Sequence, residues 1–440
     1  MSQADEETAP TALARRLVAG GRKHDAEAVV ARLIARNFGL VVGNVAITAD
    51  WSSLNSLNGL VETSDGRRFF FKFHQEEGEE GTVEEYYRAE LLQRAGLPVD
   101  MPVMMSRKPG HQILLYRFRR DRQLAAACLD VERSSADVDP GRLVELQADL
   151  DRKTGSVYRA ALHQASADEV RREAIHQLFH HRLSDRPSGT RLAGRVSRFY
   201  LEQPVDLPGA TLPWGEFAAL RWRINGIDYR ASLAELFEES LRRLAPDRLA
   251  GGAVIAHGDA HNANVWIEEG DGGARLVMFD PAFAGEHVPA LLADIKATFH
   301  NIFAHPFWLY HPEEADRRFT VSVSLSGERI VVDHDWTLGA LRRGFLDLKV
   351  EHVWRPLIAA LRRRDLLPDD WRQVVRLALF CCPTLVMNLR AGAAHGATAG
   401  RSPAISALSF ALAVMAGSEP EGGADPVSSF LDAIEPDATP

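Results

Sequence analysis

The sequence predicts an α+β fold in two lobes, a small N-terminal β-sheet lobe followed by a larger, mainly helical C-terminal lobe. Three observations predict it. Short apolar runs separated by turn signals fill positions 41–119, helical periodicity dominates beyond position 120, and a strand-rich, polar stretch at 255–282 interrupts those helices. The expected division is a helical extension over 1–40, a sheet lobe over 41–119, a helical lobe over 120–425 and a tail over 426–440.

Each element has its own signal. Leu13, Leu17, Val29, Val30, Leu33 and Ile34 recur at helical spacing, and Gly20-Gly21 divides them into two short helices. Val41 to Trp51 and Gly59 to Thr63 read as strands, Ser64-Asp65-Gly66 as a hairpin turn, and Arg68 to Phe73 as the returning strand. Glu84 to Ala95 is helical and is closed by Gly96 and Pro98, and Ile113 to Phe118 is a further strand.

Pro140 to His163, Asp168 to Leu183 and Ala231 to Leu244 follow as helices. A hairpin pairs Val265–Ile267 with Arg275–Phe279, and another is expected over Phe319 to Val332, turning at Ser326-Gly327. Between them Leu291, Leu292, Ile295, Phe299 and Ile302 trace one helix face. Thr337 to Ala416 is mostly helical, and the Pro/Gly/acidic tail from Glu419 is expected to be weakly ordered.

Composition narrows the class. A chain of 440 residues, 46% hydrophobic, can bury a large core. Its formal charge of −9 argues against a nucleic-acid partner, which asks for a basic face. Three sparse cysteines, Cys128, Cys381 and Cys382, suit a reducing compartment. The acidic Asp5-Glu6-Glu7 is unlike a secretory leader, and the apolar run Ala404 to Ala416 is short of the roughly 20 residues a bilayer span needs. A cytoplasmic protein with no membrane partner is expected.

The chemistry concentrates in His257-Gly258-Asp259-Ala260-His261-Asn262-Ala263-Asn264, with Asp280 following in Val-Met-Phe-Asp-Pro. An Asp, an Asn five residues on and a second Asp ending an apolar strand suit phosphoryl transfer, which needs positioning and charge neutralisation rather than covalent catalysis. Asp259 is placed to orient an attacking hydroxyl. Asn264 and Asp280 supply the hard oxygen donors that Mg²⁺ prefers. Taken singly, Asp259 and Asn264 could equally be turn-capping residues.

The run His257-Gly258-Asp259, His261, Asn264 and Asp280 resembles the motif of aminoglycoside phosphotransferases and their choline-kinase-like and fructosamine-kinase-like relatives. Asp294 resembles the further Asp that such families carry on the following helix to brace the catalytic loop. The resemblance is close over 254–294 and extends in outline over 45–301. It implies a bilobal protein-kinase-like fold, ATP and Mg²⁺ as cofactors, Asp259 as catalytic base and Asn264 and Asp280 as metal ligands. His257 and His261 would support the loop. A protein kinase is disfavoured, because Pro281 and Phe283 stand where D-F-G would continue and no A-P-E follows.

Two parts of the sheet lobe bear on this. Lys72, flanked by aromatics in Phe69-Phe70-Phe71-Lys72-Phe73, is costly there unless its ammonium meets anions. The α- and β-phosphates and a helix glutamate would supply them; Glu84, Glu85 and Glu90 are candidates, with Glu90 preferred because it precedes Leu91-Leu92. A lysine pointing outward from an edge strand is the plain alternative. The turn Ser52 to Gly59 holds Ser53 and Asn55 as candidate phosphate contacts, although it lacks a G-x-G-x-x-G pattern and is by itself an ordinary hairpin loop.

Two further readings compete. The H-x-D-x-H arrangement of His257, Asp259 and His261 could hold a metal for hydrolysis, but no H-E-x-x-H or second acidic cluster accompanies it. A pseudokinase scaffold is the other, although Lys72, Asp259, Asn264 and Asp280 are all present. The acceptor is expected to be a small hydroxylated molecule of antibiotic, sugar or amino-alcohol type. A cationic one would want carboxylates such as Glu286, Asp316, Asp333 and Asp335. His300, Asn301, His305 and Trp308 are possible acceptor contacts or simply core.

Overall fold

The computed structural model describes residues 9–48, 56–74, 81–106, 108, 110–134, 138–185, 188–393 and 400–435, without the side chains of 56, 74 and 81–86. Two helices come first, α1 (Pro10–Ala19) and α2 (Lys23–Phe38). Leu13, Leu17, Val29, Val30, Leu33 and Ile34 are buried, as their spacing requires. They share one core cluster with Val45, Ile47, Leu57, Val61, Phe69, Phe71, Phe73, Ile113 and Leu115 of the sheet that follows. Residues 10–38 are therefore a covering layer of the sheet lobe rather than a separate unit.

That sheet contains β1 (Val42–Ile47), β2 (Ser56–Thr63), β3 (Arg68–His74), β4 (Met104–Ser106) and β5 (Ile113–Arg117), in the order β1-β2-β3-β5-β4. Helix α3 (Gly81–Ala95) lies between β3 and β4. At Gly59 a Cβ would stand 2.2 Å from the Ala46 carbonyl oxygen, so this close pairing of β1 and β2 admits only glycine. Strand β3 is central, flanked by β2 and β5. Phe69, Phe71 and Phe73 alternate towards the helices, so strand periodicity turns Lys72 to the other face. Lys72 is 5% exposed, which excludes the outward edge-strand reading.

The larger lobe opens with α4 (Leu124–Glu132) and α5 (Pro140–Ala161). Its strands β6 (Gly251–Ala256) and β9 (Gly285–Pro289) pair with one another, and between them β7 (Val265–Glu268) pairs with β8 (Arg275–Met278). Helices α6 (Trp371–Val386) and α7 (Pro403–Gly417) form the centre of the lobe. Helix α7 is apolar on every side and is buried from Ile405 to Gly417. No described helix is long and apolar enough to cross a membrane.

Three expectations for this lobe are corrected. The helix expected over 168–183 is broken into Ala167–Arg171, a 3₁₀ turn at Ala174–Leu178 and His180–Leu183. The break lets Glu173 accept the His287 N–H at 2.8 Å. Short strands Arg221–Ile224 and Ile227–Tyr229 were not anticipated. Arg221–Ile224 runs parallel to Arg329–His334 of the late hairpin, building a four-stranded sheet. Three or four residues are too few to show a period.

The tail is the third. Instead of being weakly ordered it forms α8 (Pro426–Ile434), where the Asp425 carboxylate caps the Val427 and Ser428 N–H groups at 2.8 Å. Val427, Phe430, Leu431 and Ile434 are buried, and the Phe430 ring meets Phe303 and Trp354 at 6.0 Å between centroids. Phe430→Ala is expected to destabilise the protein by about 3–5 kcal/mol in urea unfolding, the usual cost of a phenyl-sized core cavity.

Candidate active site

Two strand pairings bring the polar loops together. Asp259 leaves the end of β6, while Asp280 follows β8 and precedes β9, the partner of β6. Residues 257–264 and 279–284 are thus adjacent connections in space. His257 ties them. Its buried ring donates from Nε2 to the Phe279 carbonyl at 3.0 Å and accepts the Asp259 N–H at Nδ1 at 3.3 Å. Burial lowers its pKa, against the pull of the nearby Asp259 charge, so the ring is neutral and can play both parts.

Gly258 explains itself sterically. It has φ +77°, and a Cβ would lie 2.7 Å from the Phe283 carbonyl and 2.9 Å from Ile175 Cδ1. The turn it permits lifts Asp259 out of the core. The side chain of Asp259 is 14% exposed, and its Oδ1 is buried without a hydrogen bond among the described residues. Such an acceptor oxygen is suited to take a hydroxyl proton.

Asn264 and Asp280 meet this loop from the other side. Asn264 Nδ2 donates to the Asp259 carbonyl at 3.0 Å, leaving Oδ1 as its unspent donor atom, and the Asn264 carbonyl accepts the Phe279 N–H at 2.9 Å. Asp280 has φ +58°, a left-handed conformation that costs a non-glycine residue about 1–2 kcal/mol. Strain of this kind persists where neighbours hold it, and here Lys72 Nζ binds Asp280 Oδ1 directly. The hard oxygens of Asn264 and Asp280 fit Mg²⁺.

Further contacts join the lobes. Met278 exchanges backbone hydrogen bonds with Pro98 and Asp100 at 2.7 Å. Arg119 grips Asp100 with two bonds of 2.8 Å and reaches Glu268 at 2.5 Å. Arg88 of α3 donates to the Ala282 carbonyl beside Asp280.

The sheet-lobe glutamate is corrected. Glu90 pairs with Arg94 one turn along α3, at 2.6 Å, not with Lys72. The Glu84 and Glu85 side chains lie outside the described residues, as do Ser53 and Asn55 altogether.

The brace of the 257–264 loop is also different. Asp294 does not bond the loop. It is buried in a triad with Lys349 and Asp151, with Lys349 Nζ 3.0 Å from Asp294 Oδ2 and 2.8 Å from Asp151 Oδ1. The loop is held by Asn301, whose Oδ1 accepts the Asn262 N–H at 2.6 Å. Arg342, paired with Glu132, donates to the Asn301 carbonyl at 2.6 Å. An asparagine on the next helix carries no sequence signal of such a role.

His261 Nε2 lies 3.9 Å from Asp259 Oδ2, and its ring is 5.9 Å from that of His300. The hydrolase arrangement does not form, because both nitrogens of His257 are already committed. No group of three or more His, Cys, Asp or Glu able to hold a metal occurs among the described residues. Glu286, Asp316, Asp333 and Asp335 lie on the surface. All are exposed, with Asp316 bound by the Ser402 hydroxyl and Asp335 accepting the Thr320 N–H at 2.9 Å. Trp308 and Asn301 are core and loop support.

No family model matches the chain, and no curated protein does. Several solved structures resemble it in outline. An aminoglycoside phosphotransferase from Alicyclobacillus acidocaldarius is 11% identical, with 92% of this chain and 94% of that one covered at a TM-score of 0.35. A spectinomycin phosphotransferase in complex with ADP and spectinomycin is 11% identical, with 88% and 98% covered, also at 0.35. A macrolide 2'-phosphotransferase from Brachybacterium faecium is 14% identical, with 81% and 98% covered at 0.32.

The neutral, buried imidazoles set a pH dependence. Burial lowers the pKa of His257 and, more strongly, of His300. The unfolded chain binds protons below pH about 6.5 that the folded chain refuses, so stability is full above that pH and falls below it. Urea unfolding between about pH 7.5 and 5.5 is expected to lose up to about 1.4 kcal/mol per pH unit for each such histidine, and His257→Gln to flatten the slope.

Proposed function

We propose that the protein is an ATP- and Mg²⁺-dependent O-phosphotransferase that phosphorylates a hydroxyl of a small molecule. The observation that carries this is the meeting of Lys72 from the small lobe with Asp280 beside the Asp259–Asn264 loop. Asp259 orients the acceptor hydroxyl through its unspent Oδ1 and takes its proton. The acceptor oxygen bonds to the γ-phosphorus, the bridging Pγ–O bond breaks, and ADP leaves with the electron pair. Lys72 offers its ammonium to the α- and β-phosphates. Asn264 and Asp280 would hold Mg²⁺, which supplies charge neutralisation on the phosphates.

Glu90 is engaged by Arg94, which leaves Glu85 as the α3 glutamate we assign to Lys72. It is the better partner for Lys72 than Glu90. Glu85→Gln is expected to weaken MgATP binding by about 10-fold or more, and Glu90→Gln to leave it unchanged, as titration calorimetry would read.

Coupled ADP-release assays over sugars, amino alcohols, hydroxy acids and antibiotics identify a substrate. With it, Asp259→Asn is expected to lower kcat by about 10²–10⁴-fold while MgATP still binds. A nucleotide-binding scaffold would instead bind MgATP, release no ADP with any acceptor, and lose nothing on that substitution.

A further inference from the structure

Beyond Asp259 the larger lobe buries a lysine without an anion. Lys296, in the helical turn Ile295–Thr298, is 3% exposed. Its one hydrogen-bond partner among the described residues is His300 Nε2, at 2.7 Å. The neighbouring Asp294 carboxylate is taken by Lys349 and Thr298, at 3.0 and 3.1 Å. A buried ammonium facing only an imidazole keeps most of its desolvation cost.

The hydrogen bonds around it fix a set of donors. Nε2 of His300 accepts from Lys296, so Nδ1 carries the ring proton and donates to the Tyr310 hydroxyl oxygen. The Tyr310 O–H and two N–H groups of Lys296 are then left to donate. Burial holds the phenol protonated and the His300 ring neutral, in keeping with these roles. His261 stands between this cluster and the catalytic carboxylate, 3.9 Å from Asp259 Oδ2 and 5.9 Å from His300 by ring centroid. Asp259, His261 and Tyr310 are partly exposed, so they form the accessible side and Lys296 and His300 the floor.

The surroundings of Lys296 carry both signs. Burial lowers its pKa, Cys382 and Asp259 pull it up, and Arg182 and Arg195 add further positive charge. The four acidic residues that could have met a cationic acceptor are all exposed.

We propose that the acceptor is an anion: a hydroxylated carboxylate or phosphate monoester whose charged group is held by Lys296 and the Tyr310 hydroxyl while its own hydroxyl meets Asp259. The proposal rests on the phosphotransferase reading and narrows its substrate to acidic hydroxy compounds, excluding polycationic antibiotics.

The test is ligand-induced thermal stabilisation of the full chain by gluconate, glucuronate and glycerate in one arm, and by glycerol 3-phosphate and glucose 6-phosphate in another. Kanamycin and sorbitol are the cationic and neutral controls. At least one anionic arm is expected to raise the melting temperature by about 1–2 °C at roughly tenfold excess over Kd, with no shift from the controls. Lys296→Met is expected to abolish that shift, Lys296→Arg to restore part of it, and Tyr310→Phe to reduce it. Without ligand, Lys296→Met should melt at or above the wild-type temperature, because it removes an uncompensated buried charge; a purely structural lysine would give a lower value.

Stabilisation by kanamycin or sorbitol alone, no anion response, or an anion response unchanged in Lys296→Met and Lys296→Arg overturns the proposal. Anion binding that persists while MgATP neither binds nor is consumed overturns the phosphotransferase reading instead.

Discussion

The ion pair between Lys72 and Asp280 is the interaction on which the arrangement of the site depends. Lys72 is committed to the cleft by strand parity, because the phenylalanines on either side of it belong to the core under α1 and α2. Asp280 is committed by its left-handed backbone, which no local preference would choose. Neither position is favourable alone. A buried ammonium needs an anion, and a strained carboxylate needs a reason to remain where it is. Their contact answers both and sets the sheet lobe over the 257–264 loop.

The loop is fixed mainly through backbone groups. His257 holds the Phe279 carbonyl and the Asp259 N–H, Asn264 holds the Asp259 carbonyl, and Asn301 holds the Asn262 N–H. Positioning by main-chain contacts leaves the side-chain oxygens of Asp259 and Asn264 unspent. That is what phosphoryl transfer asks of a protein, since its contribution is placement and charge rather than bond making.

Strong residue types at fixed spacing were legible in the sequence. The two-lobe plan, the strand carrying Lys72, the hairpin over 265–279 and the first two helices all follow from periodicity and turn residues. What was not legible is instructive. The role of Asn301 depends on a contact 39 positions from Asn262, and no local pattern encodes it. Asp294 had the position of a brace but the partners of a core ion cluster, because Lys349 and Asp151 reach it from distant helices. Glu90 was preferred for its apolar neighbours, yet helix geometry places it within reach of Arg94. The tail misled through composition, where one capping Asp425 and four buried apolar residues outweighed the glycines and acids before them.

The buried cations of the larger lobe separate structure from specificity. Lys349 is met by two carboxylates, Arg342 by Glu132 and Arg376 by Glu419, with carbonyls completing the last two. Arg401 has only neutral acceptors, but two are carbonyls that its planar, weakly hydrated guanidinium suits well. Lys296 differs from all of these, for its ammonium is compact, strongly hydrated and opposed by a single imidazole. Among the described buried cations it alone meets neither a carboxylate nor a carbonyl. If Asp259 receives the acceptor hydroxyl as proposed, Lys296 stands past His261 and His300, where the rest of that acceptor would lie.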